Sequence, residues 1–129
     1  FIIDMDIKPD DATGKQLIIA NRSYYPGSLS VFTDNGELKV DYMGYNNSKT
    51  ALDCGVALPA GKWSHLQIRY DQENLVVSVD NKSSKNMIIK GPGRYTTASV
   101  VGGWGDDWFK GEIKSLRIRH LAGDMKLIR

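Results

Sequence analysis

Residues 58–82 read LPAGKWSHLQIRYDQENLVVSVDNK, and their pattern decides the fold. After Gly61-Lys62, apolar side chains recur at every second position: Leu66, Ile68 and Tyr70. The short link Gln72-Glu73-Asn74 follows Asp71, and Leu75, Val77 and Val79 then resume the same period. Successive residues of a strand point to opposite faces, so a period of two predicts two half-buried strands joined by a tight turn.

The same period recurs on both sides of this hairpin. FIIDMDIK (1–8) sets Phe1, Ile3, Met5 and Ile7 on one face and Asp4, Asp6 and Lys8 on the other. QLIIA (16–20) reads as a second strand, followed by the loop NRSYYPG. SLSVFT (28–33) and ELKVDYM (37–43) flank DNG, a strong hairpin signal because Asn and Gly tolerate the positive φ of such turns. Downstream, NMIIK (86–90), ASVVGG (98–103) and EIKSLRIRH (112–120) read as short strands, Met87 and Ile89 facing inward in the first. Residues 44–61 read as irregular, and LAGDMKLI (121–128) as one helical turn. No window holds apolar residues at i, i+3, i+4 and i+7 long enough for an extended helix. Eight or nine strands spaced by turn signals predict an all-β sandwich or barrel, one domain over residues 1–129.

Composition agrees. A chain of 129 residues with 41% hydrophobic and 25% charged content suits one globular domain. No stretch approaches the roughly 20 apolar residues of a membrane-spanning helix. One cysteine, Cys54, leaves no internal disulfide or Cys-based metal cluster and reads as a small buried side chain. The net charge of +2 is too small to imply nucleic acid, although residues 65–129 hold eleven Lys/Arg against seven Asp/Glu. Beginning at Phe1, the chain reads as a module of a longer protein.

Three stretches together carry a family resemblance. FIIDMDIKPD, LPAGKWSHLQIRYDQENLVVSVDNK and VGG…FKGEIKSLRI, with HLAGDMKLI after them, resemble in order the framework of concanavalin A-like lectin/glucanase domains of the laminin-G-like type. The resemblance implies a jelly-roll sandwich. It also implies an abbreviated one, lacking the outer strand that usually precedes the opening segment, with Asn81-Lys82 in place of the usual Asn/Asp-Gly turn. In that framework Trp63 would plug one end of the sandwich, and His65 holds a packed or hydrogen-bonded position. Phe109 and Ile113 would re-enter the core, and Gly102, Gly103 and Gly111 would permit tight bends. Leu116 and Ile118 cannot share a strict alternation with Ile113, which predicts a bulge near Lys114–Ser115.

Catalytic patterns are missing. Glycosidases that share this fold class carry two glutamates around an aspartate on one strand, and retaining chemistry needs carboxyls about 5–5.5 Å apart. The three glutamates, Glu37, Glu73 and Glu112, are scattered along the chain. No Ser-His-Asp pattern, phosphate-binding glycine loop or metal-ligand spacing is present, and Asp4 and Asp6 read as solvated residues of a polar face.

The loops hold what a binding site would use. Tyr24, Tyr25, Tyr45, Tyr95, Trp104 and Trp108 supply aromatic faces for sugar rings, while Asn46, Arg94 and Asp106 supply hydrogen-bonding groups. Asp106 and Asp107 are candidate calcium ligands, and a turn explains the same pair. Three sequons, at Asn21, Asn46 and Asn81, matter only in a glycosylating secretory pathway.

The expectation is therefore a non-catalytic carbohydrate-binding module, secreted or at the cell surface, accessory to a larger protein such as a glycoside hydrolase. Its partner would be a carbohydrate or glycoconjugate, with no nucleic acid and no membrane span. Two other readings stay open: a protein- or glycosaminoglycan-binding adhesion domain using Lys110, Lys114, Arg117, Arg119 and Lys126, and a ligand-free structural module packed on a neighbouring domain of its parent chain.

Overall fold

The structure is a computed structural model that describes residues 1–21, 29–43, 49–71, 73–85, 87–88, 99–102 and 107–119. Its strands are β1 (Ile2–Pro9), β2 (Lys15–Asn21), β3 (Leu29–Asp34), β4 (Glu37–Met43), β5 (Lys49–Ala57) and β6 (Ser64–Tyr70). There follow β7 (Asn74–Val79), β8 (Lys82–Ser83), β9 (Met87–Ile88), β10 (Ser99–Val101) and β11 (Gly111–Arg119). A six-stranded sheet has the order β11-β1-β6-β7-β8, with β9 also paired to β7. A five-stranded sheet has the order β10-β2-β3-β4-β5. All strand pairings are antiparallel.

The alternation read from the sequence is the one that packs. Ile3, Met5 and Ile7 of β1, Leu66 and Ile68 of β6, and Leu75 and Val77 of β7 face Ile18, Val31, Leu38 and Val40 of the other sheet in one core, each 1% exposed or less. Burying such side chains contributes on the order of 1.5–3 kcal/mol each. This two-layer arrangement is an antiparallel β-sandwich, as the family resemblance implies. Asn35 (φ 50°) and Gly36 (φ 86°) form the turn between β3 and β4, as the DNG signal requires. Asp80 (φ 52°) turns β7 into β8, and its carboxylate accepts the His65 backbone N–H at 2.9 Å. Cys54 is buried. Phe109 and Ile113 pack half-buried against the core.

The predicted bulge is present. Asp4 pairs with Arg117 while Asp6 pairs with Lys114, so Ser115 and Leu116 together oppose Met5. Ser115 takes the strain, with φ 56°.

Two sequence expectations are corrected. Residues 49–57 are not irregular but form β5, in which Leu52, Cys54 and Val56 turn inward toward the core. Ala51, Asp53 and Gly55 occupy its solvent face, and their low strand propensity hides the alternation. Trp63 does not plug the sandwich: it is 39% exposed, and the Lys114 ammonium lies 4.1 Å from its ring centroid. The indole thus serves as a platform for a cation at the sheet edge. The turn expected at 121–128 and Ile89 lie outside the described residues.

Candidate functional site

Of the residues nominated for ligand binding, Trp108 lies within the described structure, and so does the calcium candidate Asp107. Tyr24, Tyr25, Tyr45, Asn46, Arg94, Tyr95, Trp104 and Asp106 lie outside the described residues.

Residues 107–110 are held by backbone bonds on both sides. The Leu17 N–H donates to the Asp107 carbonyl (2.8 Å), and the Phe109 N–H donates to the Gly102 carbonyl (3.0 Å). Gly102 in turn donates to Ile18 (2.8 Å), and Asp10 donates to the Lys110 carbonyl (2.9 Å). The buried Gln16 closes the frame. Its Oε1 accepts the Lys110 N–H (3.1 Å), and its Nε2 donates to the Thr13 carbonyl (3.1 Å) and the Asp11 carboxylate (3.1 Å).

On this frame Trp108 forms a parallel bridge with Leu17 yet remains 58% exposed. Leu17, Ala20 and Phe32 make a small cluster separate from the main core, on the far face of the five-stranded sheet, since Phe32 alternates with the core residue Val31. Lys15 lies 4.5 Å above the Phe32 ring and 3.9 Å from the Asp107 carboxylate. The result is an exposed indole on a hydrogen-bonded backbone, with the Lys15–Asp107 ion pair on the neighbouring residues. Its flat face suits the C–H face of a sugar ring, and the flanking charges suit hydroxyls. The Asp107 carboxylate faces a lysine, which would compete with a metal ion. Among the described residues no group of three or more His, Cys, Asp or Glu is placed to hold one.

A second polar constellation lies on the outer face of the six-stranded sheet. Strand register aligns Arg117, Asp4, Gln67, Ser78 and Ser83 in one row across β11, β1, β6, β7 and β8. Lys114, Asp6 and His65 form the adjacent row. Asp4 is no solvated face residue: it is 7% exposed and fully engaged. Its Oδ1 accepts from His65 Nε2 (2.9 Å) and Gln67 Nε2 (2.9 Å), and its Oδ2 accepts from Arg119 Nη2 (2.7 Å). Burial opposes ionisation of Asp4, but the bonds from Gln67, Arg119 and His65 outweigh it and hold its pKa below the ordinary value.

His65 Nδ1 lies 3.2 Å from the Asp6 carboxylate. A neutral imidazole has one N–H, so bridging two carboxylates favours the protonated ring, and the bonds to Asp6 and then Asp4 raise the His65 pKa despite some desolvation. Asp4, Asp6, His65, Ser115 and Arg117 line an open depression of about 330 Å³. Although Ser115, His65 and two aspartates meet here, both ring nitrogens are occupied by carboxylates, so neither is free to take a proton from the serine hydroxyl. The three glutamates are apart from one another: Glu37 begins β4, Glu73 lies in the turn before β7, and Glu112 faces Lys8 between β11 and β1.

Alternation alone puts Asp4 with Asp6, and His65 with Gln67, on common faces. That signal was available in the sequence. What it lacks is the pairing of β1 with β6 and β11 that joins them.

The Laminin_G_3 family, described as the concanavalin A-like lectin/glucanases superfamily, matches residues 3–123. No curated protein matches the chain in sequence. Among solved structures, the CBM40 of the Ruminococcus gnavus IT-sialidase bound to α2,3-sialyllactose superposes with a TM-score of 0.69 at 13% identity, over 96% of this chain and 78% of that one. Domains LG4-5 of the mouse laminin α1 chain superpose at 0.67 and 16% identity, over 91% of this chain and 34% of that one. The heptameric SAP-like pentraxin of Limulus polyphemus gives 0.59 at 15% identity, over 90% of this chain and 61% of that one. At such identities the likeness establishes the fold. The chain spans less than two thirds of the pentraxin structure and about a third of the laminin one. Two packed antiparallel sheets and a family match from residue 3 to residue 123 lead to one conclusion: the chain belongs to the laminin-G-like family of the concanavalin A-like superfamily.

Proposed function

We propose that the chain is a non-catalytic, lectin-like carbohydrate-binding module of a larger secreted or cell-surface protein. The observation that carries this reading is Trp108, a large aromatic side chain left 58% exposed on a backbone held at 2.8–3.0 Å by β2 and Gly102. An exposed indole contributes nothing to the core. Because the backbone of residues 107–110 is already hydrogen-bonded in place, a ligand need not bear the cost of ordering it. The indole would stack on a sugar ring while Lys15 and Asp107 bond its hydroxyls. The carbohydrate-binding CBM40 among the structural neighbours supports the same reading at the level of fold. Affinity at one such site is weak, and repetition or a neighbouring domain would supply avidity.

The test is a glycan-array screen followed by calorimetry with the wild type and Trp108→Ala. Binding reduced at least tenfold in the variant, with the melting temperature unchanged, is the expected result. No binding to any glycan at millimolar concentration, or equal binding by the variant, would overturn the assignment and leave Trp108 as an interface residue.

A further inference from the structure

We infer that the open side of the sandwich, between the edge strands β10 and β11, docks an extended protein segment as an added β-strand whose one face is apolar and whose other face is acidic. The site uses residues other than those of the proposed sugar site, so the two readings stand or fall separately.

The layers put both edges on one side. Strand β5, at one end of the five-stranded sheet, packs against β7, so β10 at the other end lies on the side of β11. Residues 107–110 cross between the layers there: the Asp107 carbonyl accepts from Leu17 of β2, and the Lys110 carbonyl accepts from Asp10, just beyond β1. Apart from two tryptophans, the large apolar side chains left exposed among the described residues are Val101, Leu116 and Ile118, at 38%, 39% and 44%. All three belong to the inner faces of the sheets. Val101 is cross-strand from Ile19 and Ile118 from Ile3, both core residues, and Leu116 shares the face of Ile118 two positions away. Apolar side chains that face the core yet stay exposed mark a side that the two layers leave open.

The backbone supplies the rest of the site. Among the described residues no strand pairs with β11 on the side away from β1, so alternate N–H and C=O groups of this edge point outward. Bulges and charges blunt many such edges. Here the bulge is confined to Ser115 and Leu116, and Arg117, Ile118 and Arg119 pair in regular register with Asp4, Ile3 and Ile2.

Charge selects the occupant. The outer-face side chains beside this stretch are Lys114, Arg117 and Arg119. A second copy added edge to edge in an antiparallel ladder would set these cations against one another, and like charges across a ladder are destabilising. A strand that alternates apolar with Asp or Glu side chains fits instead. Its apolar residues close over Val101, Leu116 and Ile118, its carboxylates lie cross-strand from Arg117, and its backbone extends the sheet.

The experiment measures, by fluorescence anisotropy, binding of the domain to a labelled peptide that alternates valine with glutamate. Comparators are a valine–lysine alternation, the valine–glutamate composition rearranged into one apolar and one acidic block, and two versions N-methylated at one or the other set of alternate amides. Wild type should bind the valine–glutamate alternation saturably, and about tenfold or more tightly than the lysine or block peptides. One methylated version, blocked at the amides that face β11, should lose binding, and the other should keep it. Ile118→Lys, which puts a charge at the apolar opening, should weaken binding about tenfold or more, and Ile118→Ala less. Lys85→Gln, exposed and beyond the far edge of the same sheet, should change nothing. Ile118 is itself exposed, and melting temperatures of the variants verify that the fold is kept.

Binding that both methylated peptides retain, or that Ile118→Lys leaves unchanged, would overturn strand addition at this side. Equal binding of the lysine or block peptide, or no binding of any peptide, would overturn it as well. A dimer in sedimentation that Ile118→Lys converts to monomer would make a second copy the occupant and likewise refute the proposal. Sugar binding through Trp108 would survive each of these results.

Discussion

Replacing Asp4 with Asn tests whether the polar face of the six-stranded sheet is a connected network. Asp4 accepts bonds at 2.9 Å from His65, 2.9 Å from Gln67 and 2.7 Å from Arg119. In Asp4→Asn the amide oxygen can still accept from His65 and Gln67, but the NH₂ then meets Arg119 donor to donor. Bonds to charged groups contribute about 1.5–3 kcal/mol where water is excluded. The partner side chains here are 50% (His65) and 57% (Arg119) exposed, so water recovers much of the loss, as it does for surface pairs. The expected destabilisation is about 1.5 kcal/mol, a fall in Tm of roughly 5 °C for a chain of this size.

The pH dependence sharpens the test. The Asp4 pKa is lowered on folding, so its contribution is present above the unfolded value near 3.8 and is lost as pH falls through the folded one. The His65 pKa is raised, so its contribution is complete below 6.5 and is lost as pH rises through the folded value. Wild-type stability should therefore decline on both sides of a window from about pH 4 to about pH 6.5, and Asp4→Asn should flatten both declines. Urea unfolding at pH 3, 5.5 and 9 measures this directly. A loss below about 0.5 kcal/mol at pH 5.5, or an unchanged pH profile, would show that the contacts are incidental.

Other substitutions probe the frame. A Cβ at Gly111 (φ 153°) would collide with the Lys8 carbonyl and lie 2.8 Å from the Phe109 ring, so Gly111→Ala should cost about 3 kcal/mol or more by denaturant titration; a cost under about 1 kcal/mol would contradict the close β1–β11 approach. Burial, helped by Asp53, pushes the Cys54 thiol up to about 12, so a disulfide reagent at pH 8 should modify it only on unfolding. Rapid reaction of the native protein would place β5 wrongly. The Ser64 hydroxyl is buried with no partner among the described residues, and Ser64→Ala should be neutral or stabilising by up to about 1 kcal/mol. A clear loss of stability there would reveal a bond to that hydroxyl.

Much of the architecture was legible because it depends on local pattern. The alternation in 64–70 and 74–79 predicts β6 and β7, DNG predicts the β3–β4 turn, and the broken period of Ile113, Leu116 and Ile118 predicts the bulge at Ser115. The bulge did not bury its residues as a core strand would: Leu116 and Ile118 are 39% and 44% exposed, because β11 is an edge strand of the described sheet. Strand β5 is hidden in the sequence because Ala, Asp and Gly alternate with its inward residues, and the position of Trp63 is hidden because the residue over its ring, Lys114, is distant in sequence. The site was less legible than the fold. Trp108 reads as an aromatic without a visible core partner and is 58% exposed, whereas Asp4, which reads as solvated, is 7% exposed.

Periodicity and turn chemistry, then, determined from sequence alone that the chain is antiparallel and all-β and which faces of β1, β6 and β7 turn inward. Only the tertiary structure decided which outward faces become neighbours. Asp4 meets His65 across 61 residues of chain and Arg119 across 115. A one-residue slip in either pairing would send these side chains to the opposite face. Local pattern specifies a strand's faces, but register between distant strands is settled by packing of the whole core, and the depression beside Arg117 exists only in that register.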